Sequence, residues 1–249
     1  MGIPKTMSFK KFIIAADNHG SMVNKEALQK LLSFCHTWKP HHRIHLGDNW
    51  DFAPLRGGAG AEEKTYGLSD DFEQGIQFVD AYKPNYLTLG NHDDRIWQMA
   101  RSVSNGLLRE HCQGIVDAAI SQFKKRKIEW IPYKVGAYIL LPDTKIKLIH
   151  GFHSGVNPAK MHFERYGPCV HGHVHAPNQY TGRHIDGGEA HSIGCIGDID
   201  QMDYADRYTA KLGWRQGFAY GITNTKTGDT KIWHVTKEGD SWISPQGII

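Results

Sequence analysis

Short apolar runs that stop abruptly at glycine or a polar turn recur along the chain. Phe12-Ile13-Ile14-Ala15-Ala16 reads as a buried strand that feeds Asp17. Asn24 then suits the cap of a helix in which Leu28, Leu31, Leu32 and Cys35 repeat at helical spacing and which Pro40 ends. Arg43 to Leu46 predicts a second strand, stopping at Gly47-Asp48. Gly57, Gly58, Gly60 and Gly67 mark residues 53–67 as a mobile surface loop. A second helix starts at Ser69, with Phe72, Gly75, Ile76 and Val79 on one face, and Tyr86 to Leu89 predicts a third strand that ends at Gly90. Strands and helices alternating through short links imply βαβ units and a largely parallel sheet.

The pattern changes after a helical stretch over residues 93–126, which breaks at Asn105-Gly106. Tyr138 to Leu141 and Ile146 to Ile149 flank Pro142-Asp143-Thr144, a hairpin signal. Asn157-Pro158 opens a further helix that Gly167 closes. Strands are predicted at Cys169 to His171, Ala190 to Cys195, Phe218 to Thr223 and Thr230 to Val235. The second half is therefore richer in antiparallel β structure. No repeat or linker divides the chain, so residues 1–249 are expected to form a single domain of two packed sheets.

Composition adds exclusions. No apolar run approaches the roughly 20 residues of a membrane span. Residues Met1 to Lys11 lack the apolar core and cleavage site of a signal peptide. The expected location is the cytoplasm, without a membrane partner. Cys35, Cys112, Cys169 and Cys195 form no CxxC pair, which speaks against a thiolate zinc site or a disulfide frame. The net charge of +3 is too small to argue for nucleic acid unaided. The run Lys124-Lys125-Arg126-Lys127 suits a helix C-terminus. The unusual count is 16 histidines.

Many of those histidines lie in or beside five motifs: Asp17-Asn18-His19-Gly20, Gly47-Asp48-Asn49-Trp50-Asp51, Gly90-Asn91-His92-Asp93, His150-Gly151, and Gly172-His173-Val174-His175. Carboxylate, amide oxygen and imidazole are ligands for hard-to-borderline divalent metals. If extended, Asp17-x-His19 and His173-x-His175 each turn two ligands to one side. Asp48 is a carboxylate able to bridge two ions. Each motif alone is weak, being what any polar strand end looks like. All five, in order and each at a strand end, point to a shared metal site.

The chain thereby resembles the calcineurin-like metallophosphoesterases, whose pattern runs D-x-H, G-D-x-x-D, G-N-H-D/E, H and G-H-x-H. As a compact stand-alone chain it resembles the bacterial and phage-encoded members. The resemblance implies an α/β fold, a four-layer α/β/β/α sandwich of two mixed sheets, with the site at the strands' C-terminal ends. It implies that Asp17, His19, Asp48 and His175 hold one metal and that Asp48, Asn91, His150 and His173 hold a second. A hydroxide bridging the metals would then attack phosphorus in line. His92 would stand over the departing oxygen, with Asp51 fixing its tautomer. Arg95 and His153 are candidate substrate residues, Trp50 is either a base-stacking or a core residue, and Gly197 to Tyr204 is a candidate rim of the cleft. Manganese is the first expectation for the metals, with zinc, iron, nickel or magnesium as alternatives.

The substrate stays open within the resemblance. The protein Ser/Thr phosphatases of that superfamily carry Arg after the second-motif Asp, where this chain has Phe52. The lipid-A-precursor pyrophosphatases usually replace the third-motif His, which is intact here as His92. Phosphodiesters of DNA, RNA or nucleotides are therefore the expected substrates. A phosphomonoesterase is the main alternative and a non-catalytic scaffold a weaker one. The aromatic stretch Trp214, Phe218 and Tyr220 is compatible with nucleic-acid contact, although aromatics there suit a core as well. Oligomeric state is not legible.

Overall fold

The computed structural model describes residues 8–183, 187–206 and 209–249. Its strands are β1 Phe9–Ala15, β2 His42–His45, β3 Tyr86–Thr88, β4 Glu129–Ile131, β5 Ile139–Leu140, β6 Lys147–Ile149, β7 Cys169–His171, β8 Asn178–Thr181, β9 Glu189–Ser192, β10 Gly217–Asn224, β11 Thr230–Glu238, β12 Ser241–Ser244 and β13 Gly247–Ile248. The helices are α1 Lys25–Trp38, α2 Ser69–Tyr82, α3 Asp94–Ser102, α4 Gly106–Lys125 and α5 Pro158–Tyr166.

The strands form an eight-stranded sheet ordered β13-β12-β11-β10-β1-β2-β3-β4 and a five-stranded sheet ordered β5-β6-β7-β9-β8. Both are mixed. β1 to β4 run parallel, while β10 joins β1 antiparallel and continues as an antiparallel meander. In the smaller sheet β6, β7 and β9 are parallel, and the edges β5 and β8 are antiparallel.

Period-two alternation sorts the central strands into two cores. Phe12, Ile14 and Ala219 point into the space between the sheets and meet Leu148 and Val170 of the smaller one. Ile13, Ala15, Phe218 and Tyr220 point the other way, onto Leu31 and Phe34 of α1 and Phe78 of α2. β1 reads as a continuous apolar run because both faces are covered. A third cluster joins α2, α3 and α4 around Trp50, Leu87 and Phe123. Ala159 and Tyr166 of α5 cover the smaller sheet at Ile149, Cys169 and Ala190. The layers are thus α/β/β/α, as expected.

Local chemistry explains the helix ends. Asn24 Oδ1 accepts the Ala27 N–H at 3.0 Å, and Asn105 Oδ1 accepts that of Leu108 at 3.1 Å. Helix α1 closes at Lys39, in the left-handed conformation, one residue before Pro40. Asn157 precedes α5 as expected, but its side chain makes no capping bond. All four cysteines are free and buried. Among the described residues no helix is long and apolar enough to cross a membrane.

The segment 53–67 expected as a surface loop contains helical turns at Ala53–Leu55 and Glu63–Thr65, joined by the Arg56–Glu63 ion pair. Strands β4, β8, β12 and β13 were not anticipated, since they are short and lack a clear apolar alternation; β8 is almost wholly exposed.

Candidate metal centre and its cleft

The first three motifs follow β1, β2 and β3, and the last two follow β6 and β7. Each parallel strand therefore releases its motif at the same edge of the sandwich. The loops are then stitched together by backbone. The N–H groups of Asp17, His19 and Gly20 donate to the carbonyls of Gly47, Asp48 and Asn49 at 2.9, 3.0 and 2.9 Å.

The candidate ligand residues do not reach the site by strand alternation. Asp17, His19, Asp48, His173 and His175 have φ between 50° and 70°, in the left-handed region. The expectation that Asp17-x-His19 and His173-x-His175 are extended is thus overturned. Sharp left-handed turns bring these side chains together, at a cost of about 1–3 kcal/mol per residue. Glycines make room for the packing. Gly47 has φ 96°, and a Cβ on Gly90 would lie 2.0 Å from Asp48 Oδ1.

Two groups of donors result. Asp17, His19 and His175 form one, and Asp48, His150 and His173 the other, with ligand atoms inside each group within 4.8 Å of one another. All are buried except the half-buried His173. In the first group the Nε2 atoms of His19 and His175 face each other at 3.3 Å, and His175 Nε2 is 3.5 Å from Asp17 Oδ1. In the second, Asn91 Oδ1 lies 3.0 Å from His150 Nε2 and 2.8 Å from His173 Nδ1. His150 Nε2 is also 3.2 Å from Asp48 Oδ2, while its Nδ1 meets the Leu46 carbonyl at 2.7 Å. A His19–Asp48–His92 grouping links the two.

Electrostatics couples the carboxylates of this cluster to its histidines. Burial pushes the Asp48 carboxyl up, but His150 and His92 outweigh it and hold it well below the usual carboxylate range. Burial lowers His150, yet Asp48 and Asp17 more than offset this and raise it to about 9. Oxygens of Asn91 and Asp48 lie within 3.2 Å of His150 Nε2, an arrangement suited to a shared proton or cation. The donor set and its burial fit divalent ions.

Asp51 and His92 stand beside the donors. The same Asp51 Oδ1 meets His19 Nδ1 at 3.0 Å and His92 Nδ1 at 2.6 Å. His92 Nε2 is 3.9 Å from Asp48 Oδ2. Burial lowers the His92 pKa, and Asp48 and Asp51 restore part of the loss. Arg95 turns onto Asp51, its Nη1 donating to the Asp51 carbonyl at 2.5 Å. His153 is half-buried against the His162 ring, at 5.1 Å between centroids, and belongs to neither donor group. Trp50 is fully buried and its Nε1–H donates to the Phe72 carbonyl at 3.1 Å, which places it in the core.

Several contributors were not foreseen. Asp93 accepts the N–H groups of Trp50 and Gly90 at 2.9 and 2.7 Å and so ties the second motif to the third. Its place in Gly90-Asn91-His92-Asp93 was the available signal. Asp71 of α2 accepts from the backbone of Ser21, Asp51 and Phe52 at 3.0, 3.1 and 2.9 Å. An acid in the first turn of a helix carries no sequence signal of this role.

The cleft has two arms, divided by Tyr204, whose ring lies 6.1 Å from that of His92. One arm, a cavity of about 980 Å³, includes Arg56, Glu62, Asp70, Asp200 and Asp203. The other, about 840 Å³, opens from His92, His173 and His175 and includes Val156 and Trp214. Asp200, Asp203 and Tyr204 of the acidic segment expected at the rim do line the cleft. Of the three aromatics in the 214–220 stretch, Phe218 and Tyr220 are core and Trp214 reaches the site.

No protein-family model matches the sequence, and no curated relative does either. Solved structures do match. Vacuolar Protein Sorting 29 from Cryptosporidium parvum has a TM-score of 0.51 at 12% identity, covering 95% of each chain. A phosphatase from Mycoplasma pneumoniae has a TM-score of 0.47 at 13% identity, over 94% of this chain and 96% of that one. The phosphoesterase Yfce from E. coli has 0.42 at 14%, over 88% and 96%. The similarity to the first is one of fold, and it agrees with the calcineurin-like resemblance of the five motifs.

Proposed function

We propose that the chain is a metal-dependent phosphoesterase that hydrolyses phosphodiesters of nucleotides or nucleic acid at a site for two divalent ions. The observation that carries this reading is the pair of donor groups linked through His19, Asp48 and His92. Asp17, His19, Asp48 and His175 would hold one ion, and Asp48, Asn91, His150 and His173 the other. Manganese is the first candidate. When bound, such ions lower the pKa of water and offset charge on the phosphoryl oxygens.

Hydrolysis adds water across one P–O bond: the water oxygen joins phosphorus, and the ester oxygen departs and takes up a proton. Asp51 holds His92 Nδ1 at 2.6 Å, so Nε2 is the nitrogen left to move that proton. Arg95, which donates to the Asp51 carbonyl, would help to position Asp51. The preference for diesters rests on the arm beside His92. Among the described residues it is lined by no Lys or Arg that would offset a monoester's second charge, and it has room for a second ester substituent.

The test is hydrolysis of bis-nitrophenyl phosphate against nitrophenyl phosphate by protein stripped of metal and then given Mn²⁺, Zn²⁺ or Mg²⁺. Metal-dependent turnover that favours the diester is expected. Preference for the monoester would replace this reading with a phosphatase.

A further inference from the structure

We infer that the arm between Tyr204 and Trp214 is a subsite for an uncharged planar aromatic group, so that the substrate is a nucleotide-sized phosphoester rather than a nucleic-acid strand. This rests on the phosphoesterase reading above and narrows its substrate class. Trp214 packs edge-on against His175, with ring centroids 4.3 Å apart, and Tyr204 stands 6.1 Å from His92. Two aromatic rings therefore border two of the three histidines that line this arm. Both also line the same cavity of about 840 Å³, with Val156 and Ala205 adding apolar surface. Neither ring is spent in a core: Trp214 and Tyr204 are both half-buried. A phosphoryl group at the donor atoms would have its substituent within reach of these rings. Flat, uncharged groups such as nucleobases gain from stacking on such surfaces.

The second arm argues against a polymer. Its lining includes the exposed carboxylates of Glu62, Asp70, Asp200 and Asp203. Arg56, the cation of that lining, is already paired with Glu63 and lies over the Tyr204 ring at 4.9 Å. A strand passing through the site would send its flanking phosphates across these acids, whereas proteins that track nucleic-acid backbones present a basic groove. A compound with one phosphate and one base needs only the uncharged arm.

The test is calorimetric titration of the Mn²⁺-loaded chain with AMP, ribose 5-phosphate and a single-stranded dodecanucleotide, with bis-nitrophenyl phosphate turnover measured on the same preparation. AMP is expected to bind about tenfold more tightly than ribose 5-phosphate, the size of one base–aromatic stack. Trp214→Leu and Tyr204→Leu should each reduce that ratio, and manganese content, measured in parallel, shows whether the site is intact. The dodecanucleotide should bind no more tightly than AMP. Equal binding of AMP and ribose 5-phosphate, a ratio unchanged in both variants, or tighter binding of the dodecanucleotide would overturn the inference. Intact AMP preference without turnover of any ester would support the subsite and remove the hydrolase reading.

Discussion

Asp51 Oδ1 is shared between two imidazoles, one on a proposed metal ligand and one on the proposed proton carrier. Removing it should loosen both. Asp51→Ala is expected to lower turnover about 10–100-fold, the usual effect of losing a residue that orients a ligand histidine. Metal analysis beside kcat checks it, since unchanged values of both would detach Asp51 from the site. His92→Ala separates the roles further. It should keep the bound metal and lose about 10²–10⁴ in turnover. Loss of metal in that variant would make His92 a ligand, as its grouping with His19 and Asp48 permits. Gly90→Ala would place a methyl 2.0 Å from Asp48 Oδ1 and should reduce metal content and activity together. Most residues of the site were legible as a set because divalent metals demand a narrow choice of side chains. Their left-handed backbone was not. Spacing alone cannot separate alternate side chains on a strand from two turned residues, and Asp or His at φ near 50° is held there by loops distant in sequence.

At the scale of elements, α2 both covers the larger sheet and fastens the cleft. Phe78 and Tyr82 pack into the core under β1, while Asp71 at its first turn accepts three backbone N–H groups from two motif loops. Asp71→Ala leaves those buried donors without partners and should cost about 1–3 kcal/mol in denaturant unfolding. Activity should fall with it, because Asp51 lies in one of the released loops. Stability and activity both unchanged would show that the loops hold themselves. The strands that end in motifs were readable because an apolar run must stop where polar ligands begin. The edge and meander strands β8, β12 and β13 were not, since pairing to a neighbour rather than their own pattern makes them strands. Tyr204 and Trp214 reach the cleft from turns remote from the motifs. Their companions Phe218 and Tyr220, in the same aromatic stretch, went to the core.

Across the whole molecule, the core between the sheets holds the two halves of the ligand set in register. Leu148→Ala, in that core, should cost about 2–5 kcal/mol by the usual cost of an emptied aliphatic site. A much smaller shift in the denaturant midpoint would mean that the sheets repack freely. The buried His162 and the half-buried His234, both outside the donor groups, should make the fold acid-sensitive. Burial lowers His162 to about 4, only partly offset by its bond to the Pro158 carbonyl, and burial with His191 lowers His234 to about 4. Their unfolded values lie near 6.5, so between pH 6.5 and 4 the unfolded chain binds more protons than the folded one. Stability is therefore complete above about pH 6.5 and falls as pH drops through that window, by up to about 3 kcal/mol for each such group. Thermal unfolding between pH 4 and 8 measures this, and His162→Gln should flatten part of the slope. An unchanged slope would exclude His162 as a source.

The proposed site works with two ions. The most direct measurement is turnover of bis-nitrophenyl phosphate as Mn²⁺ is titrated into metal-stripped protein. No turnover at the start and saturation at about two ions per chain are expected. Full turnover in the stripped protein, or none for any phosphoester with two ions bound, would contradict it.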